Sequence, residues 1–174
     1  MEGKSFTPFP VLTTARLTLR QLRSNDDYEI FALRSNDNIN KYLDRQPSKS
    51  IEDARKFIQA ITANTQSNTS VYWGIALSDT DKLVGAVCLF NFSENHSKAE
   101  IGYELAPDFQ GKGLMQEALA AVIQFGFYQI GLHAIEAHTH LENQPSTGIL
   151  KKLNFKTDGT VDNNLVLFTL THDT

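Results

Sequence analysis

The sequence predicts a single mixed α/β domain, and three observations predict it. Its length, 174 residues, suits one domain of ordinary size. Apolar residues switch repeatedly between period-two and helical spacing, in the order strand, two helices, three strands, helix, strand, helix, two strands. No linker-like stretch, internal repeat or low-complexity tract interrupts that order.

The elements follow one by one. Leu17, Leu19 and Gln21 alternate with Arg16, Thr18 and Arg20, which makes residues 15–22 the first strand. Ser24 to Asp27 supply an N-cap and an acidic first turn for a helix to about Arg34. A short helical piece around Ile39 to Leu43 ends before Pro47. Ser50 begins the next helix, with Glu52 and Asp53 in its first turn and Ala54, Phe57, Ile58 and Ile61 at helical spacing. Residues 71–77 and 83–92 read as strands of a hairpin turning at 78–82, and residues 99–105 as a third strand that Pro107 stops. From Leu114 to about Ile130 the period is helical, with Met115, Leu119, Val122 and Gly126 in one stripe and Gly131 as C-cap. Residues 134–140 form a strand. Pro145 to Leu153 form a helix ended by Asn154, and Phe155 with residues 165–170 close the sheet.

Composition narrows the function classes. Cys88 is the one cysteine, so no internal disulfide forms and a reducing compartment fits. No stretch approaches the roughly 20 apolar residues of a membrane span, and no apolar region follows Met1 to Ser5, so the expected location is cytoplasmic. The net charge of −4, without a Lys/Arg cluster, argues against nucleic acid as a direct partner. A mildly acidic chain suits a cationic substrate such as an amine.

Residues 99–121 carry the chemistry. A strand ends at Leu105, and Gln110-Gly111-Lys112-Gly113 opens the long helix at Leu114 and Met115. The first amides of a helix lack internal acceptors and sit at its positive end, and glycines let backbone approach an anion closely. The arrangement is a phosphate cradle, with Lys112 as an added point charge, or else a plain glycine-rich connection. Gly111 and Gly113 are followed by Gln116 where a dinucleotide fingerprint needs a third glycine, and the P-loop spacing is absent.

Ala99 to Pro107 with Gln110 to Ala118 resemble the acetyl-CoA site of the GNAT acetyltransferase superfamily. Arg16 to Arg20, Asn143 to Ser146 and Lys152 to Phe155 extend the resemblance to its RimJ/RimL branch, enzymes that acetylate N-terminal amines of ribosomal proteins. The resemblance spans roughly residues 10–171, in matching order. It implies a single GNAT-like domain whose mixed, mostly antiparallel central sheet of about seven strands is flanked by four or so helices. It implies acetyl-CoA as cosubstrate, no metal, and an amine acceptor attacking the thioester directly. The cofactor-binding residues it implies are Leu105, Gln110, Gly111, Lys112, Gly113, Leu114, Met115 and Asn143. Met115 stands where the family has Gly or Ala, so its side chain must point into the core. Asn154 replaces the family's glycine in a left-handed cap.

Glu100 is the candidate base: alternation puts Glu100, Gly102 and Glu104 on one strand face, and Ile101, Tyr103 and Leu105 on the other. Orienting the amine, or merely facing water, are its other readings. Leu150 stands where many relatives place a proton-donating tyrosine. The RimJ/RimL resemblance suggests Ser146 as its substitute, against a plain first-turn role. Asn143 either holds the pantetheine arm, caps the Pro145 helix, or both. Glu104, Tyr103 and Trp73 are candidate acceptor-binding residues, with core packing the rival role for Trp73. His138 and His140 share a strand face but lack a third metal ligand, and Cys88 reads as core.

The expected activity is acetylation of a peptide N-terminal α-amine. The rivals are a small amine, such as a polyamine or antibiotic, and a non-catalytic acyl-CoA-binding module. The expected assembly is a monomer or homodimer.

Overall fold

In the computed structural model, which describes residues 5–172, eight strands form one sheet. They are β1 (Leu12–Thr13), β2 (Leu17–Arg20), β3 (Val71–Leu77), β4 (Leu83–Phe90), β5 (Lys98–Leu105), β6 (Ala134–His140), β7 (Val161–Asp162) and β8 (Leu165–Thr171). The helices are α1 (Asp27–Ser35), α2 (Asp37–Asn40), α3 (Ile51–Gln66), α4 (Leu114–Phe125) and α5 (Gln144–Lys152). The spatial order is β1-β2-β3-β4-β5-β6-β8-β7, antiparallel throughout except for the β5–β6 pair.

The expected order of elements holds, with local differences that have local causes. β1 and β7 have two residues each, too short for alternation to register in the sequence. Phe155 is a buried core residue rather than a strand residue, and only its neighbour Lys156 bridges to Thr169. The long helix is α4 followed by a π-helical turn, Gly126–Ile130, that closes on left-handed Gly131 at φ 88°. Asn154 takes the left-handed cap at φ 71°. Ser50 caps α3 by accepting from the Asp53 amide at 3.2 Å.

The sheet separates two apolar layers. Leu17, Leu19, Trp73, Val87, Leu89, Ile101 and Ile135 pack on one face against α4 and on Leu150 of α5. Tyr72, Leu83 and Ala86 pack on the other face against Ile30 and Leu33 of α1 and Ala54 and Ile58 of α3. Arg20, on the strand face opposite Leu17 and Leu19, is buried. It grips Asp26 through two bonds of 2.9 and 3.0 Å, while its Nε reaches Asp81 at 3.0 Å. Both side chains of the Arg20–Asp26 pair are under one-tenth exposed, so the fold depends on keeping that pair complete.

Candidate active site

The site begins where the parallel pair comes apart. β5 and β6 are in register only at Lys98–Ala134, Ala99–Ile135 and Glu100–Glu136. Beyond Glu100, β5 stays with β4 as far as Leu105, and β6 stays with β8 as far as His140. An opening therefore separates residues 101–105 from residues 137–140, with one edge of β5 unpaired. Ala106 donates to the Val84 carbonyl at 2.8 Å, so by alternation the amides of Tyr103 and Leu105 turn toward the open edge.

Below the opening, a 3₁₀ turn at Pro107–Phe109 leads into the glycine loop. Gln110 Nε2 donates to the Leu105 carbonyl at 2.8 Å and ties the loop to the strand end. Gly111 and Gly113 have φ of 76° and 78°, a region costly for residues with a Cβ. The first α4 amide to find a backbone acceptor is that of Glu117, which donates to the Gly113 carbonyl at 3.1 Å. The amides of Gly113, Leu114, Met115 and Gln116 donate to no group among the described residues. The Leu114 and Met115 side chains are buried in the core, so only their backbone faces the loop. Arg16 braces the loop, donating to the Lys112 carbonyl at 3.0 Å and to Glu117 at 2.8 Å. Partial burial pushes the Glu117 carboxyl upward, but donors from Thr14 and Arg16 outweigh it and hold it below its ordinary value. Glu117 is thus held as a carboxylate, its charge taken up by Arg16 and Thr14. Four bare amides and a dipole end, with the first-turn carboxylate Glu117 already bonded to Arg16 and Thr14, fit a diphosphate.

On the α5 side of the opening, the Tyr103 hydroxyl and Ser146 Oγ are 2.5 Å apart. Burial raises the Tyr103 phenol, with Ser146 pulling the other way. Strand alternation turns Tyr103 to the α4–α5 face, where it meets Ser146. Asn143 caps α5 by accepting from the Ser146 amide at 3.4 Å. Leu150 is fully buried one helical stretch further on. Trp73 is also a core residue and lines no groove: it is fully buried, donates to the Pro10 carbonyl at 2.7 Å, and packs edge-on against Phe125.

The opposite face collects the charged residues. Glu100 accepts from Asn91 at 3.1 Å and lies 3.2 Å from His138 Nδ1; its side chain is 24% exposed. His140 lies against Tyr42 with ring centroids 4.9 Å apart and the rings tilted by 34°. Glu104 pairs with Arg45 at 2.7 Å, and Arg45 is fixed by Asn40 at 2.8 Å. Cys88 lies in the same layer, its thiol pushed up to about 12 by burial. A separate hollow of about 340 Å³, lined by Tyr28, Leu33, Ile39, Ala106 and Phe109, opens at the α1 end of this face. No group of three metal-ligating side chains occurs among the described residues, and none of their helices is long and apolar enough to cross a membrane.

Sequence reasoning missed two of these partners. His138 was legible as sharing a strand face with His140, but its approach to Glu100 needs the β5–β6 register. Arg45 lies in a polar loop between α2 and α3 with no periodicity, so nothing local points it at Glu104.

The sequence matches the Acetyltransferase (GNAT) domain over residues 16–156. It is 36% identical over 151 residues to the uncharacterized N-acetyltransferase YoaA of Bacillus subtilis (strain 168), covering 87% of this chain and 85% of that one. The fold superposes on Mycobacterium smegmatis RimJ in complex with CoA-disulfide at a TM-score of 0.79 and 23% identity, covering 89% of this chain and 81% of the other. It superposes on Vibrio cholerae spermidine N-acetyltransferase in complex with CoA and spermine at a TM-score of 0.80 and 22% identity, covering 91% and 96%. The last two likenesses are of fold alone. By its domain match and its sequence relatives, the chain belongs to the GNAT acetyltransferase family and is an N-acetyltransferase.

Proposed function

We propose that this enzyme transfers the acetyl group of acetyl-CoA to a primary amine, namely the α-amine of a peptide N-terminus. The observation that carries the cofactor assignment is the run of four bare amides at residues 113–116, set at a helix N-terminus behind two left-handed glycines. Bound there, acetyl-CoA supplies a thioester as acetyl donor. Gly113 to Gln116 hold its diphosphate, Lys112 adds a charge at the loop, and Asn143 meets the pantetheine arm.

The chain's own residues divide the remaining work. Glu100 takes a proton from the incoming ammonium, directly or through water, while His138 and Asn91 orient its carboxylate. The open-edge amides of Tyr103 and Leu105 donate to the tetrahedral oxyanion. The Tyr103–Ser146 hydroxyl pair returns a proton to the departing thiolate, and burial keeps the Tyr103 phenol protonated. Glu104 contributes to acceptor binding.

Charge supports a single α-amine over a polyamine. The one buried carboxylate next to Glu100's strand position, Glu104, is already neutralised by Arg45, and Arg34 adds a second guanidinium beside it. Such a face offers a chain of ammonium groups no row of free carboxylates beyond Glu100. The test is CoA release from acetyl-CoA across N-terminal peptides, polyamines and aminoglycosides. Turnover should be fastest with N-terminal peptides. Turnover with polyamines alone would replace the acceptor, and tight CoA binding without any turnover would reduce the protein to a binding module.

A further inference from the structure

A second set of unpaired groups lies on the acceptor face, and here the groups are side chains. The β3–β4 and β4–β5 registers place Tyr72, Cys88 and Gly102 in one row across the sheet, and Gly102 lies midway along β5 between Glu100 and Glu104. Tyr72 is 7% exposed and its hydroxyl has no hydrogen-bond partner among the described residues. The Glu104 side chain is 8% exposed; Oε2 takes Arg45, and Oε1 has no partner among those residues. Arg34, from α1, lies 3.7 Å over the Phe57 ring, and its guanidinium meets no carboxylate or hydrogen-bond acceptor among them. Phe57 also stands edge-on to Tyr72 at 5.5 Å, so Arg34, Phe57 and Tyr72 form one continuous wall.

Buried polar groups are almost always satisfied within a fold. Two unsatisfied ones at one place, Tyr72 Oη and Glu104 Oε1, lie beside a half-buried Arg34 guanidinium that has no carboxylate partner among the described residues. Arg34 and Tyr72 offer N–H and O–H donors, while Glu104 Oε1 demands one. A ligand that answers all three carries an anion and an N–H group together. Burial, then the Arg45 charge beside it, holds the Arg34 guanidinium below its ordinary value, as expected of a cation waiting for a counter-charge.

We propose that Arg34 and Tyr72 form a carboxylate-binding subsite, so that the preferred acceptor is an amine whose own molecule carries a carboxylate, with Glu104 Oε1 taking an N–H of that molecule. The inference rests on the amine-acetylation reading and adds the substrate class. The carboxylate has two possible sources, an acidic side chain following the reacting N-terminus or the α-carboxylate of a free amino acid.

Titration calorimetry on the CoA-loaded full chain tests it without needing turnover. The probes are C-terminally amidated Ala-Asp-Ala against Ala-Asn-Ala, and alanine against alaninamide. The acidic member of at least one pair should bind about 10-fold more tightly, one good charge-assisted contact. The pair that shows it identifies the source. Arg34→Gln should bring that ratio close to one and Arg34→Lys should restore part of it, while CoA affinity serves as the check on folding. Equal binding within both pairs by the wild type, or a preference that survives both Arg34→Gln and Tyr72→Phe, overturns the subsite. Parallel assays of CoA release separate the two readings. A binding preference without acetyl transfer would leave the subsite standing and sink the proposed activity, and transfer without preference would do the reverse.

Discussion

Two regions on opposite sides of β5 both present unpaired polar groups, and they differ in what those groups are. At the start of α4 they are backbone amides, bare because every helix leaves its first donors unmatched. On the acceptor face they are the side chains of Tyr72, Glu104 and Arg34, bare because this chain placed them so. The first site follows from geometry and two left-handed glycines, and any chain with that turn can bind a diphosphate. The second depends on residues from β3, β5 and α1 meeting at one spot, so it is where acceptor specificity resides. The Arg20–Asp26 pair sharpens the contrast. It lies on the acceptor side of the sheet, is equally buried and charged, and has every main partner inside the fold. It is structural, and the open groups are for ligands.

That division can be broken in order of effect. Asp26→Ala strands the buried Arg20 charge and should cost about 3–5 kcal/mol of stability, read as a lower denaturant midpoint, with kcat per folded molecule unchanged. A loss under about 1 kcal/mol would mean the pair is solvated. Glu100→Gln should lower kcat about 10²- to 10³-fold, the ordinary range for losing a general base, with acetyl-CoA affinity within about twofold of wild type. A wild-type rate at saturating amine removes Glu100 from the mechanism. Gly113→Glu forces a residue with a Cβ into a left-handed conformation and sets a carboxylate at the phosphate site. Acetyl-CoA affinity should fall by at least about 100-fold, and retained affinity in calorimetry would empty the cradle of meaning. Tyr103→Phe should lower kcat about tenfold with little change in acceptor KM. A change in stability alone would make the Tyr103–Ser146 pair a packing contact.

The sequence made one of these regions far more legible than the other. Local pattern sufficed for β3, β4, β5 and β6, for the Ser50 cap of α3, and for the glycine turn into α4, because period, cap and turn chemistry act over a few residues. It failed at β1 and β7, whose two residues hold no period, and it did not show that Arg20 pairs with Asp26 and Asp81. For Trp73 core packing outweighed an acceptor role in the sequence, but the choice needed the sheet face that meets α4, which pattern next to Tyr72 does not mark. Glu100 was found from its strand, but His138 required strand register, and Arg45 required the fold of a loop without periodicity. Side-chain sites assembled across the sheet are tertiary facts, and single-sequence pattern does not contain them.

The most direct test of the account is a crystal structure of the enzyme with coenzyme A bound. The diphosphate should lie within hydrogen-bond distance of the amides of Gly113 to Gln116, with the pantetheine arm running up between β5 and β6. A diphosphate held on any other face of the molecule would contradict the account at its base.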